Sequence, residues 1–225
     1  MGVNYNPGIV TNGLVLCLDA ANKKSYSGSG NTWVDLSGSN NSGTLINSPT
    51  FSSANNGIFT FNGSNTDVIF GNNIQPTTIT ASIWVKPDTS ALTGGYRVIL
   101  DKSYGGTGWY LFLYNGVPTF FANGDTNNVL SSVTLINSWY NITGTYDGTT
   151  IKIYINGVLT GNTTYTGGLV NNSNPIEIMT RDAAYGKGNV YRSVGLVAQV
   201  QIYNRALSPS EVAQNFNALR GRYGI

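Results

Sequence analysis

The clearest pattern in the chain is a strict alternation of apolar and polar residues beyond its middle. Ile151, Ile153 and Ile155 alternate with Lys152 and Tyr154. Successive side chains of a β-strand point to opposite faces, so this period of two places the three isoleucines on one face, against a core. The same pattern predicts that the lysine and the tyrosine lie on the opposite, polar face.

Two-residue turn signals flank this strand and recur elsewhere in the chain. Asp147-Gly148 precedes the strand, Asn156-Gly157 follows it, and Asn115-Gly116 lies between two other apolar runs. These dipeptides tolerate positive φ at both central positions of a turn, so they favour two-residue hairpins. The segment 138–161 is therefore predicted to form three strands joined by two tight turns.

Short segments of this kind fill most of the chain, and Gly, Asn, Asp or Pro clusters bound most of them. Many short strands separated by turn signals indicate a sandwich or a barrel. Segments with a helical period are absent between the strands, which argues against parallel βαβ units. The fold class is therefore predicted as all-β and antiparallel. The predicted strands are 14–19, 58–62, 67–70, 79–87, 96–102, 109–115, 117–123, 129–136, 139–147, 150–156, 176–180 and 194–204, with 43–47 as a candidate edge strand.

One short helix is predicted near the C-terminus, over residues 209–220. Ser208 is a suitable N-cap, Pro209 fits the first helical position, and Glu211 completes a capping box. Two roles remain open for this helix: it docks on its own domain, or it contacts a partner. Its predicted apolar face consists of Val212, Phe216 and Leu219.

No change of composition marks a boundary between domains. Residues 1–12 are predicted to be an N-terminal arm, and residues 13–225 a single domain that includes the helix. A domain of this size buries most of its surface and needs no disulfide or metal to fold. The arm either adds to a neighbour's sheet edge or groove, or is a disordered tail.

Composition narrows the classes of partner. Only 10% of the residues are charged and the formal net charge is +2, which favours neither nucleic acid nor an anionic membrane. The sequence contains no apolar run long enough to predict a membrane span and begins with no secretion signal. The low charge density limits repulsion between copies and favours a homo-oligomer or symmetric array.

Cys17, the sole cysteine, lies in an apolar run and is predicted to be a buried, inert thiol.

The chain contains no histidine, which removes the commonest general base and metal ligand. Ser-His-Asp and Cys-His catalytic arrangements are therefore excluded, as are zinc sites built on Cys and His. A glycoside hydrolase needs two carboxylates, and no two of the ten acidic residues lie within four positions of each other. A pair assembled from distant strands leaves that activity as a remote alternative. The prediction is a protein that is not an enzyme and has no cofactor.

Separate segments, in order, resemble laminin-G-like domains with the concanavalin A-like jelly roll. They are GLVLCLDAANKKSY, IFTFNGSNTDVIFG, ASIWVKP, WYNITGTYDGTTIKIYINGVLTG and VAQVQIYNRALSPSEVAQNFNALRGRYGI. The resemblance covers nearly the whole chain from Gly13 and implies an antiparallel β-sandwich with a C-terminal helix. Similar single-domain proteins occur in tailed marine and cyanobacterial bacteriophages. That likeness implies a non-catalytic virion structural protein, a capsid decoration or a head or tail fibre, that contacts other virion proteins.

The resemblance also bears on calcium. Many members carry acidic residues just before the closing V.IYNRALS segment that help to hold a structural calcium ion, but these positions are Ala198 and Gln199 here. Asp67 is retained in the family's GSN.D segment and is a weak calcium candidate. Calcium usually needs more than one carboxylate, so no metal is predicted.

The alternative function is a lectin-like module that binds host or surface glycans. Exposed aromatic side chains in loops, with amides and charges nearby, would form its site. For Trp109, the alternative to ligand contact is a position in the core. For Tyr104 and Tyr185, the alternative is that the ring packs down its own loop. The candidate contact residues are Tyr104, Trp109, Arg181, Asp182, Tyr185 and Tyr191. The expected location is the phage particle, after synthesis in the host cytoplasm.

Overall fold

The computed structural model of the protein describes residues 8–124, 126–182 and 191–225. These residues form two eight-stranded antiparallel sheets, A and B, which enclose one large hydrophobic core, and a helix that covers part of the outer face of sheet A. The predicted antiparallel β-sandwich with one short C-terminal helix is confirmed. Within the described ranges, no helix is long and apolar enough to cross a membrane.

Sheet A joins strands from both ends and the middle of the chain. Its strands, numbered in chain order through the whole protein, are β1 (Leu14–Asp19), β4 (Thr50–Ser52), β5 (Ile58–Asn62), β7 (Ile79–Pro87), β12 (Tyr140–Tyr146), β13 (Thr150–Ile155), β14 (Val158–Thr164) and β16 (Val194–Tyr203). Their spatial order is β14-β13-β12-β7-β16-β5-β4, and β1 also pairs with β16.

Sheet B contains two long central hairpin strands and several short ones. Its strands are β2 (Thr32–Trp33), β3 (Gly43–Ile46), β6 (Asp67–Phe70), β8 (Tyr96–Tyr104), β9 (Thr107–Tyr114), β10 (Val117–Ala122), β11 (Asn128–Leu130) and β15 (Ile176–Ile178). Their spatial order is β11-β10-β9-β8-β15-β6-β3-β2. The crossover that inserts β15 between β8 and β6 brings distant parts of the sequence together on this sheet.

The alternation in β13 is confirmed on its core face and only partly on the other. Ile151, Ile153 and Ile155 are buried between the sheets. Lys152 is partly exposed on the outer face, but Tyr154 is buried there. The reason is that the C-terminal helix covers Tyr154, a tertiary contact that a local pattern does not contain.

Two of the three predicted hairpin turns are confirmed. Asn115-Gly116 joins β9 to β10, and Asn156-Gly157 joins β13 to β14, each with positive φ at both positions. The prediction for Asp147-Gly148 is wrong, because the three residues 147–149 join β12 to β13 and only the glycine has positive φ. The Asp147 carboxylate accepts hydrogen bonds from the backbone N–H groups of Thr149 and Thr150, at 2.9 and 2.8 Å. These two bonds stabilise the longer turn.

The largest difference in strand bounds concerns 129–136, where only β11 forms. The chain leaves sheet B after Leu130, because the Ser132 N–H donates to the Thr160 carbonyl of sheet A at 3.0 Å and Leu135 turns into the core. No sequence pattern predicts β2 and β4, which are two and three residues long. The candidate edge strand is β3, which lies inside sheet B between β2 and β6.

The C-terminal helix, α1, spans Pro209–Leu219 and begins with the predicted capping box. The Glu211 N–H donates to Ser208 Oγ at 3.3 Å, and the Ser208 N–H donates to the Glu211 carboxylate at 2.8 Å. Val212 is buried against sheet A, and Phe216 stacks on a tryptophan of β7 with ring centroids 5.7 Å apart. The helix therefore docks on its own domain, which was one of the two open alternatives.

The described part of the predicted arm packs on this helix. The Gln214 side chain donates to the Gly8 carbonyl, and the Val10 N–H donates to Asn215 Oδ1, both at 2.8 Å. Residues 1–7 lie outside the described residues, so the alternatives for the arm stay predictions.

The sole cysteine is a core residue, as predicted. Cys17 is buried in β1, and desolvation by burial raises the pKa of its thiol to about 12. The reactive thiolate is therefore negligible at neutral pH.

Candidate binding site

The outer face of sheet B carries a groove lined mainly by aromatic rings. Alternate side chains of β8, β9 and β10 point away from the core, and over this part of the sheet most of them are aromatic. The groove has a volume of about 340 Å³, at the lower end of the range for small-molecule sites. We call it the aromatic groove, and its principal residues are Tyr96, Tyr110, Phe112, Tyr114, Phe121 and Arg181.

Three rings form the floor of the aromatic groove. Tyr110 of β9 and Phe121 of β10 stack with centroids 4.3 Å apart and planes 5° apart. Phe112 stacks on Phe121 at 4.8 Å. Each of the three side chains is only 3–4% exposed, so the floor is rigid and largely desolvated.

Two tyrosines form an exposed wall above this floor. Tyr96 and Tyr114 are cross-strand partners on β8 and β9, with ring centroids 4.7 Å apart, and they are 49% and 42% exposed. On the side of β10 and β11 the groove is lined by Thr119, Asn128 and the exposed Leu130. The groove thus presents accessible aromatic faces beside hydroxyl and amide groups.

A guanidinium lies at the end of the groove marked by Tyr110. The Arg181 Cζ is 4.2 Å from the centre of the Tyr110 ring, within cation–π range. Its Nε is 3.3 Å from Asp101 Oδ1, and its Nη2 donates to the Ser103 hydroxyl. The Arg181 side chain is 11% exposed, and Tyr191 packs against the floor rings nearby.

A constrained backbone turn places Arg181 over sheet B. Met179 follows β15 directly, is buried and has a φ of 64°, which is uncommon for a residue other than glycine. Its N–H donates to the Ile99 carbonyl at 3.2 Å, and its own carbonyl accepts from the Ser193 N–H at 3.0 Å. These two bonds hold the turn and so fix the direction of the following residues.

A buried ion-pair network lies beside the groove. Arg192 Nη2 is 3.1 Å from Asp67 Oδ2, and Arg192 also pairs with Asp182. The Thr180 hydroxyl donates to the Asp182 carboxylate at 2.7 Å. The calcium candidate Asp67 therefore faces a guanidinium. Across 8–124, 126–182 and 191–225, no group of three or more His, Cys, Asp or Glu side chains is arranged to hold a metal ion.

Two carboxylates from distant strands meet on the same outer face. Asp101 of β8 and Glu177 of β15 are direct cross-strand partners, and each is 1% exposed. Burial raises the pKa of Asp101 to about 6, although Arg181 and Ser103 act in the opposite direction. Neither carboxylate lines the aromatic groove, so this pair is not placed to act on a ligand there.

The structure separates the candidates that the sequence singled out. Arg181 and Tyr191 line the aromatic groove, whereas Asp182 belongs to the buried ion-pair network. Tyr185 lies outside the described residues.

Two other candidates lie away from the groove. Tyr104 is exposed at the tip of the β8–β9 hairpin, outside the aromatic groove. Trp109 is fully buried in the main core, which corrects its place among the contact candidates and agrees with its core alternative. Its strand position explains the difference, because Trp109 points inward and its neighbour Tyr110 points outward.

Sequence reasoning missed most of the groove, although one signal for it was present. In WYLFLY, residues 109–114, apolar or aromatic side chains occupy both faces of the strand. Only one face of a strand in a two-layer sandwich can point into the core, so the second apolar face must be covered or must bind something. The missed residues are Tyr96, Tyr110, Phe112, Tyr114 and Phe121.

Binding domains of clostridial toxins are among the solved structures that share this fold. The binding domain of Paraclostridial mosquitocidal protein 1 matches with a TM-score of 0.73 and 20% identity, over 92% of this chain and 52% of that one. The receptor binding domain of botulinum neurotoxin C/D mosaic serotype has a TM-score of 0.71 and 18% identity, over 92% and 51%. The botulinum neurotoxin serotype D ligand binding domain in complex with N-acetylneuraminic acid gives the same values. This chain spans about half the length of each, and such low identity shows a common fold alone.

The bacteriophage virion role receives no support from these comparisons and stays a prediction. No curated protein matches the chain. Residues 62–213 match the Laminin_G_3 family, described as the concanavalin A-like lectin/glucanases superfamily. The match covers most of the chain, and the resemblance of the sequence to this group is confirmed. The chain therefore belongs to the concanavalin A-like lectin/glucanase superfamily.

Proposed function

We propose that the protein is a non-catalytic, lectin-like module that binds glycans in the aromatic groove. The observation that carries this proposal is the exposed tyrosine wall above a desolvated aromatic floor. The apolar faces of sugar rings pack against aromatic side chains, and a few polar groups then fix their orientation. Tyr96 and Tyr114 offer the aromatic faces, and the Asn128 side chain and the buried Thr119 line the opposite side.

Burial of the carboxylates supports binding rather than hydrolysis. A glycosidase must present one carboxylic acid and one carboxylate to the glycosidic bond. Asp101 and Glu177 are covered and do not line the groove, and Asp101 contacts Arg181 and Ser103 instead. Among the described residues, the remote glycoside hydrolase alternative therefore has no accessible carboxylate pair in this groove.

Two toxin domains with this fold lend further support to a glycan ligand. A botulinum neurotoxin DC binding domain was solved in complex with SialylT, and a serotype D domain with N-acetylneuraminic acid. These domains are about twice the length of this chain and 16–18% identical to it. They support the class of ligand and carry no information about which residues would bind it here.

The test is a glycan-array screen of the protein, followed by calorimetric titration of the best saccharide. The double variant Tyr96→Ala/Tyr114→Ala removes the accessible wall and leaves the buried floor in place. We expect at least a tenfold loss of affinity, about 1.4 kcal/mol, because aromatic anchors dominate binding energy. Tyr104→Ala is the matched control, since it removes another exposed tyrosine, which lies outside the groove.

Two results would contradict the proposal. The first is an array on which no saccharide binds above background. The second is a loss of affinity in Tyr104→Ala while the wall variant binds as tightly as the wild type, which would place the site at the hairpin tip. Three predictions from the sequence are independent of this test: a location on the phage particle, virion protein partners, and a homo-oligomer or symmetric array. Each is compatible with a glycan-binding appendage.

A further inference from the structure

We propose that the saccharide bound in the aromatic groove carries a carboxylate, and that Arg181 binds this carboxylate at the Tyr110 end. The inference rests on the proposed function and specifies the ligand class. A sialic acid or a uronic acid residue would supply the group.

The charge that the ligand meets in the groove comes from Arg181. Among the described residues that line the aromatic groove, Arg181 is the one with a permanent charge, and the others are aromatic, aliphatic or neutral polar. Its guanidinium lies against the desolvated face of Tyr110. A charge in such surroundings interacts more strongly than one in open water. An anionic group on the saccharide is therefore favoured over a neutral one, and a cationic group is disfavoured.

The guanidinium of Arg181 is held in one orientation. Arg181 is held by the Asp101 carboxylate and the Ser103 hydroxyl on β8, both buried, and by the ring of Tyr110 on β9. These contacts fix the plane of the guanidinium before a ligand arrives, which lowers the entropy lost on binding. A planar guanidinium matches a planar carboxylate better than a tetrahedral sulfate, because parallel N–H groups can meet both oxygens.

Asp101 and the ligand carboxylate compete for the guanidinium of Arg181. The groups that face Asp101 are Arg181 above it, Tyr110 on β9 and Glu177 on β15, with Lys102 next to it in the chain. While Asp101 is ionised, its charge offsets part of the attraction that a ligand carboxylate feels. Burial raises the pKa of Asp101 to about 6, so this offset disappears as the pH falls below that value.

The consequence is an unusual pH dependence for an acidic ligand. The affinity for a carboxylated saccharide rises as the pH falls from 7.5 to 5, because Asp101 takes up a proton while the ligand carboxylate stays ionised. The affinity for the matching neutral saccharide stays constant over the same range. By linkage, the bound anion stabilises the protonated form of Asp101.

The experiment compares matched saccharides by calorimetric titration at pH 7.5 and pH 5. Sialyllactose is paired with lactose, and trigalacturonate with its methyl ester, so that the two arms separate sialic acid from uronic acid. Lactose sulfate tests a tetrahedral anion. We expect at least one carboxylated probe to bind about tenfold more tightly than its neutral partner, in keeping with a charge-assisted hydrogen bond.

Three variants separate this role from folding. Asp101→Asn removes the competing charge and keeps a side chain of the same shape; it should strengthen binding of the carboxylated probe at pH 7.5 and abolish its pH dependence. Arg181→Gln should make the affinities for the carboxylated probe and for its neutral partner equal, because it removes the guanidinium that distinguishes them. Arg220→Gln is the matched control, since it removes one exposed positive charge at the end of α1, on the opposite sheet.

The outcomes are distinct. Equal affinity for each carboxylated probe and its neutral partner overturns the inference and leaves glycan binding intact. Preference for lactose sulfate over both carboxylated probes also overturns it. Failure of all probes, together with a blank glycan array, refutes the proposed function and the inference with it. Retention of the preference in Arg181→Gln would place the anion site elsewhere.

Discussion

Gly144 provides the sharpest test of the packing that supports the aromatic groove. It lies in β12, opposite Phe120 of β10 across the core. A Cβ at this position would lie 2.3, 2.5 and 2.7 Å from three ring atoms of Phe120, whereas carbon atoms in contact are about 3.5–4.0 Å apart. The ring would therefore have to move by about 1 Å. Phe120 is fully buried, so the movement must displace neighbouring side chains or β10 itself.

We expect Gly144→Ala to lower the free energy of unfolding by about 2 kcal/mol. Overpacking a core by a methyl group costs about 1–3 kcal/mol, and three contacts below 3 Å with a buried ring place Gly144→Ala at the upper end of that range. The smaller entropy of alanine in the unfolded chain returns about 0.4–1 kcal/mol, which leaves about 2 kcal/mol. The backbone of Gly144 is not in the left-handed region, so strain from φ does not add to the cost. For a domain of this size the change corresponds to a fall in Tm of about 4–8 °C.

The measurement is urea unfolding followed by tryptophan fluorescence. Gly221→Ala is the matched control, because a Cβ there meets open space and its φ is ordinary, so we expect a change within about 0.5 kcal/mol. Phe120→Leu and the double variant with Gly144→Ala complete a double-mutant cycle. The smaller leucine should relieve the clash, so the double variant should lose less stability than the sum of the single variants.

If the effects in the cycle are additive, or if Gly144→Ala and Gly221→Ala have equal effects, this explanation is refuted.

The same clash has a consequence for binding. Phe120 anchors β10 in the core, and its neighbours Thr119 and Phe121 line the aromatic groove. Gly144→Ala should therefore weaken saccharide binding as well, although it lies on the other sheet.

Two further predictions concern stability. Ser208→Ala should cost about 1 kcal/mol in urea unfolding, because it removes the acceptor that caps the Glu211 N–H; an equal loss in Ser29→Ala, at an exposed loop position, would contradict this explanation. The pKa of Asp101 is raised from 3.8 to about 6, so the folded state holds this proton more tightly than the unfolded chain. Its contribution to stability is therefore greatest below pH 4 and falls as the pH rises to about 6, by at most about 3 kcal/mol. The stability of Asp101→Asn relative to the wild type should rise over the same interval, and a difference that does not vary with pH would exclude this linkage.

Part of the aromatic groove is visible in the sequence. Arg181 and Tyr191 were identified because charged and aromatic residues in a glycine-rich loop region are typical of binding sites, and both line the aromatic groove. The strand aromatics were missed because hydrophobic side chains on a strand are ordinarily core residues. Trp109 and Tyr110 illustrate the difficulty, since adjacent aromatic residues point to opposite sides of sheet B.

The sequence by itself determined the features that depend on local physics. The period-two pattern of β13 follows from the pleat of a strand, the Asn-Gly turns follow from backbone tolerance of positive φ, and the capping box follows from hydrogen bonds between residues three apart. Each of these signals involves side chains and backbone groups within a few positions of each other. They were sufficient for an antiparallel all-β domain with one C-terminal helix.

Only the tertiary structure decided which of these elements become neighbours. The insertion of β15 beside β8 places Glu177 opposite Asp101, 76 positions earlier in the chain, and carries Arg181 over Tyr110. The docking of α1 likewise buries Tyr154, which local alternation assigns to solvent. The physical reason is that register between distant strands is selected by the packing of the whole sandwich, and no local pattern encodes it.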